Sequence, residues 1–142
     1  MERMGESASH EVDVWLREWQ VSEDGLRVAL GESVSWDLVP MDQEWMTRLF
    51  GERRTVPLQL DTYASATRAP DAPDWTRIRG DILAIEQVSV RYTRSTDPSE
   101  VGSVPEPGAA VTLRVPSLWP KHPHIGSVVG WIVRVRMPSH ID

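Results

Sequence analysis

Apolar and polar residues alternate with a period of two along most of this chain, and the alternation is interrupted by prolines and glycines. The longest run is Arg77–Arg94, RIRGDILAIEQVSVRYTR. Ile78, Gly80, Ile82 and Ala84 fall on one side of it, and Arg79, Asp81 and Leu83 on the other. Val88, Val90 and Tyr92 then alternate with Gln87, Ser89 and Arg91. A period of two sends successive side chains to opposite faces of a sheet. The two halves fall out of phase if Ile85 is buried, so the spacing predicts a bulge or bend within Leu83–Gln87. A bent strand allows a small sheet to curl and close on itself.

Shorter segments follow the same rhythm. Glu11–Gln20 begins with Val12, Val14 and Leu16 in alternation and is assigned to a strand, with Trp15 and Trp19 opposite. A helical grouping of Val12, Trp15, Leu16 and Trp19 also fits the spacing, but the valine-rich start and short apolar run favour the strand. Ser22–Gly25 then forms a turn centred on Asp24-Gly25. Gly31-Glu32 introduces a strand with Val34, Trp36 and Leu38 on its apolar face. Pro40–Phe50 is the one helix expected, with Asp42 as N-cap, Trp45, Met46, Leu49 and Phe50 as its apolar stripe, and Gly51 as its stop. In a barrel this helix would plug one end. Val56, Leu58 and Leu60 alternate in a further strand, where Pro57 argues for an edge position or a strand start. Ala64–Asp74 and the proline-rich Ser95–Gly108 are loops, the second expected to be mobile. Val111, Leu113 and Val115 point inward from the next strand. Pro116–Pro123 contains three prolines and suits neither helix nor central strand. The last strand, Val128–Met137, places Val129, Trp131, Val133 and Val135 on one face and Val128 and Ile132 on the other. The fold class is therefore mainly β: a single small barrel or strongly curled antiparallel sheet, SH3-like or OB-like, with one short helix. A sandwich stands behind these two. Residues 1–10 are expected to form a disordered leader, 11–138 the domain and 139–142 a tail.

Composition narrows the function classes. The 142 residues match one domain, and no apolar run approaches the length of a membrane span. The acidic, apolar-poor N-terminus resembles no targeting peptide, so a cytoplasmic location is expected. The chain has no cysteine, which excludes disulfides, thiolate catalysis, iron–sulfur clusters and cysteine-bound zinc. Fifteen basic residues stand against 21 acidic ones, for a net charge of −6, and the arginines are dispersed. That balance disfavours nucleic acid as a partner, because phosphate binding needs concentrated positive charge. Seven tryptophans are many for this length. Such side chains fill cores but also anchor interfaces and pockets.

Three segments carry a likeness to known sequences: Trp15-x-x-x-Trp19-Gln20, Gly31-Glu32-x-Val34-x-Trp36-x-Leu38 and Gly130-Trp131-Ile132-Val133-Arg134-Val135. With the central Gly80–Tyr92 strand they cover about half the chain, and there it resembles a family of small bacterial proteins of unknown function. The resemblance implies a shared fold and no activity. Members are associated with a cysteine pair after the Trp-Gln element. Val21–Gly25 holds none here, so a metal or redox role for that pair does not carry over.

Candidate chemistry is sparse. Trp119-Pro120-Lys121-His122-Pro123-His124 places two histidines at i and i+2, a spacing found in metal sites on extended chain. Asp97, Glu100 or His140 would have to supply a third ligand. The bland alternative is a solvated proline-rich loop, and it carries more weight. No Gly-x-Ser-x-Gly elbow, P-loop or dinucleotide fingerprint is present, so no catalytic residue and no cofactor is assigned. Trp75 and Trp119 lie beside prolines in loops and, with His122 and His124, make up the candidate binding set. Trp36, Trp45 and Trp131 are expected in the core. The function expected is a non-enzymatic binding module for a protein partner or small ligand. Its alternative is a small metal-dependent or hydrolytic enzyme using His122 and His124. Strand addition at Val56–Asp61 and a homodimer through the stripe of Val128 and Ile132 are two ways a partner would attach.

Overall fold

A computed structural model of the chain describes residues 9–61, 76–94, 99 and 102–138. Within them, β1 is Ser9–Arg17, α1 Glu18–Asp24, β2 Ser33–Pro40, α2 Gln43–Phe50 and β3 Leu58–Leu60. They are followed by β4 Thr76–Val90, β5 Tyr92–Arg94, β6 Ser103–Pro105, β7 Val111–Arg114 and β8 Ser127–Pro138. Five strands pair in the cyclic order β2-β3-β1-β8-β4, and β2 pairs back onto β4, so the barrel is closed. All of these pairings are antiparallel except β1 with β3, and β7 adds to the free part of β4. β5 and β6 form a separate two-stranded hairpin. The mainly β barrel anticipated from the two-residue rhythm is thus present.

β4 makes closure feasible. Its first half, Thr76–Asp81, pairs with β2 on one edge, while Glu86–Ser89 pairs with β7 on the same edge. β8 runs along the other edge from Asp81 to Val90. The register slips between Ile82 and Ala84, which is the bulge the sequence phase required, and again between Val88 and Ser89. After the first slip the inward set passes from Ile78 and Ile82 to Ile85, while Val88 and Val90 face out. The second slip leaves Val129 outside the pairing. It turns the phase of β8, so that Val128 packs against the interior while Val129 packs outside. The single apolar face expected to join Val129 to Trp131 is broken there.

Two apolar cores result. The barrel interior holds Val14, Leu16, Trp36, Leu38, Leu60, Ile85, Trp131, Val133 and Val135. The second core lies on the outer surface, where α2 lays Met46, Leu49 and Phe50 over Trp15, Val88, Val90 and Ile132. The Asp42 carboxylate accepts from the Glu44 and Trp45 amides and caps α2 as expected. The helix does not plug the barrel, however. Trp15 and Ile132 form a bulky patch on the convex face, and the apolar stripe of α2 removes it from water. That also covers Ile132, so the stripe proposed for self-association is not available at the surface.

Three other expectations are revised. The first strand stops at Arg17, and Glu18–Asp24 is a second helix. Its Val21 is buried against the interior core, so α1 closes the barrel end. Asp24-Gly25 is the end of this helix and not a hairpin turn. Gly25 takes a left-handed conformation (φ 66°) and returns its N–H to the Val21 carbonyl. β3 is not an edge, since β1 and β2 flank it on its two sides, which removes strand addition at Val56–Asp61. Pro57 sits just before it, where no ladder donor is needed. β1 begins at Ser9. The remaining leader, the 64–74 loop and the 139–142 tail lie outside the described residues.

On the outer face beside α2, charges replace the apolar patch. The Arg134 guanidinium grips Asp13 with Nε on Oδ1 (2.9 Å) and Nη2 on Oδ2 (3.4 Å). Arg54 reaches Glu86 (2.7 Å) and the same Asp13 (3.3 Å). The Glu86 hydrogen bond, with the charges of Glu86 and Asp13, holds the Arg54 pKa above the ordinary arginine value against the opposing effect of burial. A raised cationic pKa contributes stability below the unfolded value, and that stability is lost only as pH rises through the folded one. Across the neutral range the network is therefore intact. Exchange of Arg54 for Met is expected to cost about 1 kcal/mol in urea unfolding at low salt and less at high salt. An equal cost at both would contradict an electrostatic role.

Gly130 pairs opposite Arg17, and a Cβ there would meet the Leu16 carbonyl oxygen and the Trp15 ring, both at 2.5 Å. Gly130→Ala should therefore destabilise the fold by about 1–3 kcal/mol. A urea midpoint unchanged from wild type would show that β1 and β8 do not approach so closely.

Candidate functional site

The barrel end that α1 covers is finished by two irregular segments. The Leu118 amide donates to the Val28 carbonyl and the Leu30 amide to the Pro116 carbonyl, each at 3.0 Å, with Ala29 bridged to Ser117. Leu118 is completely buried in the interior core, and Leu26, Val28 and Trp119 pack against it. Beyond Trp119 the prolines deny the chain the N–H groups needed to continue as a strand.

A buried glutamine takes over that pairing. Gln87 lies on β4 opposite Trp131 and is fully buried. Its Nε2 donates to the His122 carbonyl and its Oε1 accepts from the His122 amide, both at 2.8 Å. One side-chain amide thereby pairs both polar backbone groups of His122, much as a neighbouring strand would. The segment from Pro116 to Gly126 is a strap tied down at both of these places. Its conformation is fixed by named bonds and not left to solvent.

The strap and α1 together carry an aromatic and cationic rim. Trp119 is half-buried, with the Arg27 guanidinium 4.8 Å and the Lys121 ammonium 5.6 Å from its ring centroid. Lys121 also donates to Glu18 on α1 (2.8 Å). In the same first turn, Trp19 is 52% exposed, and the Arg17 guanidinium lies 4.6 Å from its ring. Cations at these separations are attracted by the ring quadrupole. The rim thus joins two tryptophans, three cations and a carboxylate.

The expected binding residues meet different fates. Trp119 is part of this rim. His122 is half-buried, with its Nδ1 buried and lacking a hydrogen-bond partner, while His124 is exposed on the strap. Trp75 lies outside the described residues, as do Asp97, Glu100 and His140. Among the described residues no three His, Asp or Glu side chains gather as a metal would require. Trp36 and Trp131 are core as expected, Trp45 is half-buried, and Trp15 is buried under α2. Sequence reasoning left Trp19 outside the candidate set and missed Arg27 and Gln87. Gln87 left a trace, being the polar residue in the inward phase that follows Ile85. Trp19 left one too, in the helical spacing with Val12, Trp15 and Leu16 that yields to the strand assignment.

A family model described as a family of unknown function (DUF6578) matches residues 10–137. No curated protein and no solved structure matches the chain. Among the described residues no helix is long and apolar enough to cross a membrane.

Gln87→Leu removes both strap bonds and leaves the His122 amide and carbonyl without their partner. The expected loss is about 2 kcal/mol of stability, with faster hydrogen exchange at the His122 amide and unchanged exchange in β1. Protection of His122 equal to wild type would show that Gln87 does not hold the strap.

Proposed function

The chain belongs to this family of unknown function, so membership supplies no activity, and we propose that the domain is a non-enzymatic binding module that engages a protein partner through the closed-end rim. The observation that carries this reading is Trp19, a large ring more than half exposed on α1, the helix whose Glu18 accepts from the Lys121 that flanks Trp119. Rings of this kind desolvate readily and lose little rotamer entropy, which makes them frequent interface anchors. Arg17, Arg27 and Lys121 bring three cations to the rim, with Lys121 paired to Glu18 and Arg17 and Arg27 lying over the two rings. A partner segment with an apolar anchor and flanking carboxylates suits it. The rim is also held by the barrel, through Val21, Leu118 and Gln87, so little ordering is needed on binding.

A photo-crosslinking side chain placed at Glu23 on α1 tests the reading in cells, with one at Thr47 on the far helix as control. Adducts are expected at position 23 alone, and Trp19→Ala or Arg27→Glu should reduce them by about tenfold or more. Equal adducts at both positions, or none that respond to Trp19, would remove the proposal. Calorimetry with zinc or nickel addresses the hydrolytic alternative. Heat that vanishes when both His122 and His124 are replaced would favour a metal-dependent enzyme instead.

A further inference from the structure

Next to the strap, but apart from the tryptophan rim, a cavity of about 210 Å³ opens between the end of β4, the Glu106–Val111 segment and Ile125. Its lining has three features that the fold does not otherwise use. Ser89 is part of the lining, and the Ser89 hydroxyl is buried with no hydrogen-bond partner. Ala109, Val111 and Ile125 supply apolar wall, with Ile125 45% exposed, while the Val90 side chain is buried in the core under α2. Arg91 and Glu106 carry opposite charges into the same lining, yet neither guanidinium nor carboxylate forms an ion pair among the described residues.

The frame around the cavity is well tied. The Glu106 amide donates to the Arg91 carbonyl at 2.8 Å, and the Ala109 amide to the Glu106 carbonyl at 3.2 Å. Gly126 packs so closely on the Val90 carbonyl that a side chain there would collide with it. The charged residues are therefore presented from fixed backbone on a small apolar hollow. We infer that this cavity binds a free aliphatic α-amino acid, its side chain against Ala109, Val111 and Ile125, its carboxylate at Arg91 and its ammonium at Glu106. A zwitterion matches two unpaired charges of opposite sign, which an uncharged apolar molecule would leave unused. The volume suits a ligand of leucine's size, and an adjacent polar group of that ligand would give the Ser89 hydroxyl the partner it lacks.

Titration of the full chain with L-leucine, followed by NMR of backbone amides, tests this directly. Shifts are expected at Ser89, Val111 and Ile125, and none at Trp19. Leucinamide, which lacks the carboxylate, and 4-methylpentanoate, which lacks the ammonium, should each bind about tenfold more weakly. Arg91→Gln and Glu106→Gln should each weaken leucine by a similar factor, since both residues are exposed and their exchange leaves the fold intact. Val111→Trp should abolish binding by filling the hollow, with amide spectra elsewhere confirming the fold. Absence of any shift with leucine up to about 10 mM would overturn the inference. So would equal affinity for leucine and leucinamide, or affinity indifferent to both charge exchanges. Neither result bears on the tryptophan rim, whose test reads a different surface.

Discussion

The bend in β4 is the constraint from which the rest follows. A straight strand of fifteen residues would present one edge to one neighbour, and the sheet would remain open. With the register slip after Ile82, the same edge serves β2 over its first half and β7 over its second. The barrel then closes through β3, which sits parallel to β1 and antiparallel to β2. Closure leaves none of the five barrel strands without a neighbour on either side, which limits unwanted edge-to-edge association. It also determines which residues are interior, because every slip exchanges the inward and outward sets.

Once the barrel is closed, the two helices occupy different places for different reasons. α1 follows β1 without a loop and drops Val21 into the end of the interior. α2 covers the convex patch of Trp15, Val88 and Ile132, and the Arg53 guanidinium then ties the chain near Gly108 and Ala110 beside it. The end closed by α1 is where the proline-rich strap must be fastened. Gln87 fastens it, inside a region where an unpaired amide would be costly. Rigidity of the tryptophan rim is thus a consequence of barrel closure and of one buried hydrogen-bonded side chain.

Much of this was legible in the residues. The alternation in Arg77–Arg94 marked both the central strand and its bulge, because Ile85 breaks the phase that Ile78 and Ile82 set. Asp42 and Gly51 bounded α2 through their capping chemistry. What could not be read was placement. Whether a stripe such as Trp45, Met46 and Leu49 covers an end or a face depends on which convex residues need cover, and Trp15 and Ile132 lie far apart in the chain. Trp19 is assigned to a strand over the helix its spacing also allows, since seven residues of helix are too few to outweigh a valine-rich start. For the candidate site, Trp119 and His122 were identified, but the glutamine that positions them acts across 35 residues of sequence. Such a contact leaves no local pattern.

Interstrand nuclear Overhauser effects between backbone protons test barrel closure most directly. The account predicts contacts between Val34 and Gly80, antiparallel, and between Val14 and Leu58, parallel, in the same sample. With the antiparallel contact between Leu38 and Leu60 and the pairings of β8 with β1 and β4, these complete a closed ring of strands. Contacts between β2 and β4 without those between β1 and β3 would mean an open sheet, and the positions assigned to α1, the strap and the rim would fall with it.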